Sequence, residues 1–107
     1  MRIAYVPTPD MTVAKQIART LLDEQLITCA NMHPVTSMYK EAEKLIDASE
    51  VILLLKTNNE NIAAVAQRIE ALHPYDTPCV LTFEATANDS YTRWMAEQLE
   101  HGTHKVE

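Results

Sequence analysis

The residues with the widest range of chemistry lie together in one stretch, 72–79, which reads Leu-His-Pro-Tyr-Asp-Thr-Pro-Cys. We call this stretch the proline corner, because two prolines four residues apart restrict its backbone. It carries an imidazole, a phenol, a carboxylate, a hydroxyl and a thiol. Imidazole and thiolate are the donors that soft transition metals prefer. His73 and Cys79, with the more distant Cys29, are therefore candidate metal ligands.

Each of these residues also has a structural interpretation, and the residues alone leave both open. His73 at a helix end can satisfy the last carbonyls and suits the helix dipole. Cys29 fits a small buried side chain on a strand, and Asp76 can accept hydrogen bonds from the backbone of a turn. A metal site needs three or four ligands, and the sequence has no Cys-x-x-Cys, His-x-x-x-His or His-x-His spacing.

An enzymatic interpretation would take Cys79 as a nucleophile and His73 as its base. The sequence identifies neither a residue to orient that base nor a loop to form an oxyanion hole. We therefore expect a binding protein with no required cofactor, and not an enzyme.

Composition excludes several classes of protein. The chain has 107 residues, a length typical of one domain, and a net charge of −6, which argues against a nucleic-acid or anionic-membrane partner. The longest strongly apolar run, 51–55, is far too short to span a bilayer. With no signal-peptide pattern and only two cysteines, we expect a cytoplasmic protein. The single glycine, Gly102, excludes glycine-rich phosphate loops.

Hydrophobic periodicity predicts four strands and three helices. The strands are 3–6, 28–32 with an extension over 35–39 beyond an irregularity at Pro34, 50–56 and 80–84. The helices are 11–25 behind an Asp10 cap, 62–72 behind a Thr57–Glu60 capping box, and a last one capped by Asn88 or Asp89. Residues 40–47 fit either a hairpin tip or a weak helical turn.

This order, βαββαβ plus a terminal helix, predicts an α+β, ferredoxin-like split βαβ fold with an antiparallel four-stranded sheet. We expect one domain over residues 1–100 and a polar tail over 101–107. The run 51–55 does not alternate apolar and polar residues, so both of its faces require burial. Because two helices cover only one face, we expect another subunit on the other. Cys29 and Cys79 should lie at opposite sheet edges, too far apart for a disulfide.

Five short motifs stand in the order and approximate spacing of one known family. They are Cys-Ala-Asn at 29–31, Ser-Met-Tyr at 37–39, Leu-Leu-Leu-Lys-Thr at 53–57, the proline corner, and Asn88-x-x-Tyr91-x-x-Trp94. Together they resemble the CutA family of divalent-cation tolerance proteins over residues 3–99.

The resemblance implies a ferredoxin-like subunit in a homotrimer built like the PII signalling proteins. It implies tolerance of copper or other divalent cations, with a PII-like signalling or scaffold role through an unknown protein partner as the alternative. Clefts between subunits are the expected ligand site. The matched polar and aromatic positions that would line them are Tyr39, Lys56, His73, Tyr75, Asp76 and Tyr91.

The chain departs from the family pattern at the hairpin and at the proline corner. Glu41 and Glu43 stand where members commonly carry tryptophan and glycine, and Cys79 stands where many carry glutamate. The copper site of some members uses a first-strand cysteine and two histidines before Pro-Tyr. Here the first position is Val6, and of the histidine pair only His73 is present.

Overall fold

The computed structural model describes the backbone of residues 1–105 and the side chains of residues 1–100. Within this part of the chain the elements are β1 (Arg2–Thr8), α1 (Met11–Asp23), β2 (Cys29–Glu41), β3 (Lys44–Thr57), α2 (Ile62–Leu72), β4 (Leu81–Glu84) and α3 (Asp89–Lys105). The strands form one antiparallel sheet. The predicted α+β, ferredoxin-like fold is therefore confirmed. No helix in the described part is long and apolar enough to span a bilayer.

The strand order in the sheet is β2-β3-β1-β4, so β2 and β4 form its two edges. Cys29 begins β2 at one edge, whereas Cys79 lies just before β4 at the other. Both thiols are free. The predicted edge positions and the absence of a disulfide between these two cysteines are confirmed.

The main hydrophobic core fills the space between one sheet face and helices α1 and α2. Asp10 caps α1 by accepting a hydrogen bond from the Val13 backbone at 2.8 Å, as the sequence predicts. Apolar residues at helical spacing then turn toward the sheet, where each buried large side chain contributes about 1.5–3 kcal/mol. The helical members of this core are Ala14, Ile17, Ala18, Leu21, Ile62, Val65 and Ile69.

The opposite face of the sheet, called the second face here, is partly covered by α3. The register places Ile3 and Ile52 on it, and Ile52 is only 2% exposed. Lys56, on the same face, holds its Nζ 5.3 Å from the centroid of the Tyr91 ring of α3. Met95 and Leu99 of α3 are also buried. Helix α3 thus supplies part of the cover that the sequence analysis assigned to another subunit, and packing of a second copy on this face stays a prediction.

Strands β2 and β3 form a hairpin longer than predicted. Its tip is the pair Ala42 and Glu43, with φ of 50° and 67°, as a two-residue turn with left-handed residues requires. The alternative of a helical turn over 40–47 is therefore wrong. The ladder also continues through Pro34, which pairs with Val51, because an edge strand tolerates the missing N–H. The predicted irregularity there is absent.

The capping box predicted at Thr57 is wrong. Thr57 is the buried last residue of β3, and its hydroxyl donates to the Leu26 carbonyl at 2.6 Å. Helix α2 begins only at Ile62, after Asn61 donates its backbone N–H to Asn58 Oδ1 at 2.8 Å. Strand pairing with β1 therefore takes precedence over the local capping signal.

The C-terminal boundary at residue 100 stays a prediction. Helix α3 continues to Lys105, past the predicted start of the polar tail. Residues 106 and 107, and the side chains from 101 onward, lie outside the described part of the chain.

Helix α1 ends in a Schellman motif without glycine. Leu26 N–H donates to Leu21 O and Gln25 N–H to Leu22 O, both at 3.0 Å, which is the pairing of that motif. Gln25 consequently has φ of 59°, a conformation that costs a residue with a Cβ about 1 kcal/mol.

Replacing Gln25 with glycine should therefore raise the free energy of unfolding by about 1 kcal/mol. Guanidinium unfolding of wild type and Gln25→Gly at equal protein concentration measures this. Gln25→Ala is the control, since alanine keeps the Cβ and should gain nothing comparable. A glycine variant no more stable than the alanine variant would contradict the assignment.

Candidate functional site

His73 is the buried anchor of the proline corner. It directly follows α2, is 7% exposed, and donates its backbone N–H to Ile69 O at 2.8 Å. Its ring Nε2 lies 2.8 Å from Pro7 O, and its Nδ1 accepts the Tyr75 backbone N–H at 3.2 Å. Since a carbonyl only accepts, Nε2 carries the proton and the ring is neutral in this arrangement. Both ring nitrogens are therefore already engaged.

The short length of β4 explains why Pro7 is available to His73. Strand β4 pairs with β1 only from Arg2 to Tyr5. Pro7 lies beyond that pairing, although β3 still flanks it on the other side through Ile52. The His73 ring bonds to the Pro7 carbonyl at this point. The corner is thus fixed to the end of β1.

Tyr75 extends from this anchor to β3. Its ring packs against the His73 ring with centroids 4.6 Å apart, and its hydroxyl donates to Glu50 Oε2 at 2.7 Å. Partial burial raises the pKa of the Tyr75 phenol, and the hydrogen bond to Glu50 raises it further. The phenol therefore stays protonated, as a donor, across the physiological pH range.

These contacts border an open cleft of about 740 Å³ on the second face. The strand register places Tyr39, Glu41, Glu50 and Pro7 on that face. The proline corner forms the facing wall. The full lining is Pro7, Tyr39, Glu41, Glu50, Tyr75, Asp76, Thr77 and Cys79. The cleft combines two phenol rings, three carboxylates and a thiol, which come from β2, β3 and the proline corner.

The structure brings four predicted site residues to this cleft, namely Tyr39, Tyr75, Asp76 and Cys79. His73 lies behind it and positions Tyr75.

Three other predicted residues lie at the far end of the sheet. Lys56 contacts Tyr91, and Cys29 is the cross-strand partner of Lys56. Tyr39 follows Cys29 by ten residues along β2, which corresponds to about 33 Å in a strand. A single chain therefore cannot place Lys56 and Tyr91 in the cleft that contains Tyr39.

Glu41 and Glu50 were missed as site residues by the sequence analysis. Glu41 was noted only as a departure from the family pattern, and Glu50 only as the first residue of a predicted strand. The available signal was strand parity, because Tyr39 and Glu41 are two residues apart and must share a face. Glu50 joins this face because the register pairs it with Val35 of β2. Pairing between separate strands cannot be predicted from the local sequence pattern.

The described side chains give limited support for a metal site in one chain. No group of three or more His, Cys, Asp and Glu residues there is arranged to hold a metal ion. A metal at His73 would have to displace the bond to Pro7 or the bond from Tyr75. The assignment of His73, Cys79 and Cys29 as metal ligands stays a prediction.

Comparison with known proteins identifies the family. The sequence model of one protein family, described as CutA1 divalent ion tolerance protein, matches residues 2–98. The chain belongs to the CutA1 family. The divalent-cation tolerance protein CutA of Pyrococcus horikoshii is 34% identical over 99 residues, covering 92% of this chain and 97% of that protein. The CutA homolog of Xenopus laevis is 35% identical, and the match covers 88% of this chain and 64% of that longer protein.

Solved structures of the family agree with the fold. The crystal structure of CutA1 from Pyrococcus horikoshii has a TM-score of 0.88 at 33% identity, covering 92% of this chain and 97% of that chain. CutA1 from Ehrlichia chaffeensis has a TM-score of 0.89 at 33% identity, covering 92% and 94%. CutA from Archaeoglobus fulgidus, described as periplasmic, has a TM-score of 0.87 at 29% identity over 92% of this chain and 99% of its own.

If His73 is the anchor of the corner, His73→Ala should lower the free energy of unfolding by about 2–4 kcal/mol, through an unfilled space and two lost hydrogen bonds. Denaturant unfolding measures the change. His33→Ala, at an exposed position of β2, is the control and should stay within about 0.5 kcal/mol of wild type. Equal stability of the two variants would contradict an anchoring role.

Proposed function

We propose that this member of the CutA family is a metal-responsive, homotrimeric binding protein that holds copper or another divalent cation at clefts between subunits, without enzymatic activity. The observation that carries the proposal is the family match over residues 2–98, joined to a cleft lined by carboxylates and a thiol. No cofactor is required in this proposal. The cation is the ligand to which the protein responds.

The chemistry of the cleft supports a cation as its guest. Glu41, Glu50 and Asp76 offer oxygen donors, and Cys79 adds a thiol. Carboxylates suit hard divalent cations, whereas thiolate favours copper or zinc. The net charge of −6 also raises the local concentration of cations near the surface. Ligands missing in one chain would come from a second copy.

Two features support assembly of copies. Met38 and Leu45 are each 64% exposed on the hairpin, and large exposed apolar side chains on one projecting element are typical of an interface. Tyr39 also lies about 33 Å along β2 from Cys29, which is the cross-strand partner of Lys56. This separation favours a cleft built from two copies. In a trimer, one subunit can present Lys56 and Tyr91 to the cleft of the next.

A second candidate is a PII-like signalling or scaffold trimer that acts through a protein partner. The hairpin favours it, because its tip over residues 40–44 carries two lysines and two glutamates that are all exposed. Such a tip can recognise a partner without a metal. Under this alternative, Glu50 and Asp76 of the cleft are dispensable, whereas the tip, which includes Glu41, is essential.

Isothermal titration of zinc and copper into the purified protein tests the first proposal. The variant Glu41→Gln/Glu50→Gln should weaken binding at least about tenfold, since each removes a charged ligand. The matched control is Glu60→Gln/Glu70→Gln, at two exposed positions around α2, and should bind as wild type does. Weak and equal binding by all three proteins would refute a cation site at the cleft and favour the signalling candidate.

Light scattering tests the assembly. Wild type should give three times the chain mass of 12.1 kDa at micromolar concentration. Leu45→Glu should dissociate the trimer, because it places a charge in the proposed contact. Leu22→Glu, at an exposed leucine of α1, should leave it intact. A monomeric wild type, or equal behaviour of the two variants, would refute the role given to the hairpin.

We also propose a cytoplasmic location. The two free thiols, one of them exposed, are compatible with a reducing compartment. The protein from Archaeoglobus fulgidus is described as periplasmic, so cell fractionation of the expressed chain is the appropriate test. Recovery with periplasmic markers would overturn this location.

A further inference from the structure

We draw no further inference here: the strongest candidate, the exposed apolar patch that Leu81 and Phe83 form on the second face at the open edge of β4, carries nothing further because nothing in the described part of the structure shows what covers it.

Discussion

Burial of the middle strand on both faces is the constraint on which the rest of the structure depends. The run from Val51 to Leu55 packs under α1 and α2 with alternate residues, while Ile52 is buried on the second face. This fixes β3 between β1 and β2. Glu50 directly precedes the buried run, so its place beside the cleft follows from the same register. The sheet core thereby determines where the carboxylate of the site lies.

The proline corner depends on that register at one further point. Pro7 pairs with Ile52 on one side and lies beyond the end of β4 on the other. His73 bonds to it there and presents Tyr75 to Glu50. The His73 ring therefore serves to position Tyr75 in this arrangement, since both of its nitrogens are already hydrogen-bonded. The groups that face the cleft are the phenols, the carboxylates and the thiol of Cys79.

Much of the fold was predictable because its signals are local. The Asp10 cap, the apolar spacing of α1 and α2, and the unbroken run before Lys56 each depend on neighbours in sequence. The hairpin length was not predictable, because residues 44–49 lack clear alternation and form a strand only through pairing with β2. Thr57 is a second case: its local sequence pattern indicates a helix cap, but pairing with β1 makes it the last residue of β3.

The site residues also differ in whether local sequence or contacts between elements bring them together. Tyr75 and Asp76 were predictable as a group because the two prolines hold them together. Glu50 was not, since its bond to Tyr75 joins two separate elements. Lys56 and Tyr91 were grouped with Tyr39 by family resemblance, although the sheet separates them in one chain.

A crystal structure of the protein soaked in zinc chloride tests the central claim most directly, because it reports assembly, cleft and ligand together. The account predicts a trimer with zinc bound in a cleft between two copies. A monomer, or zinc found only at surface positions remote from the cleft, would contradict it.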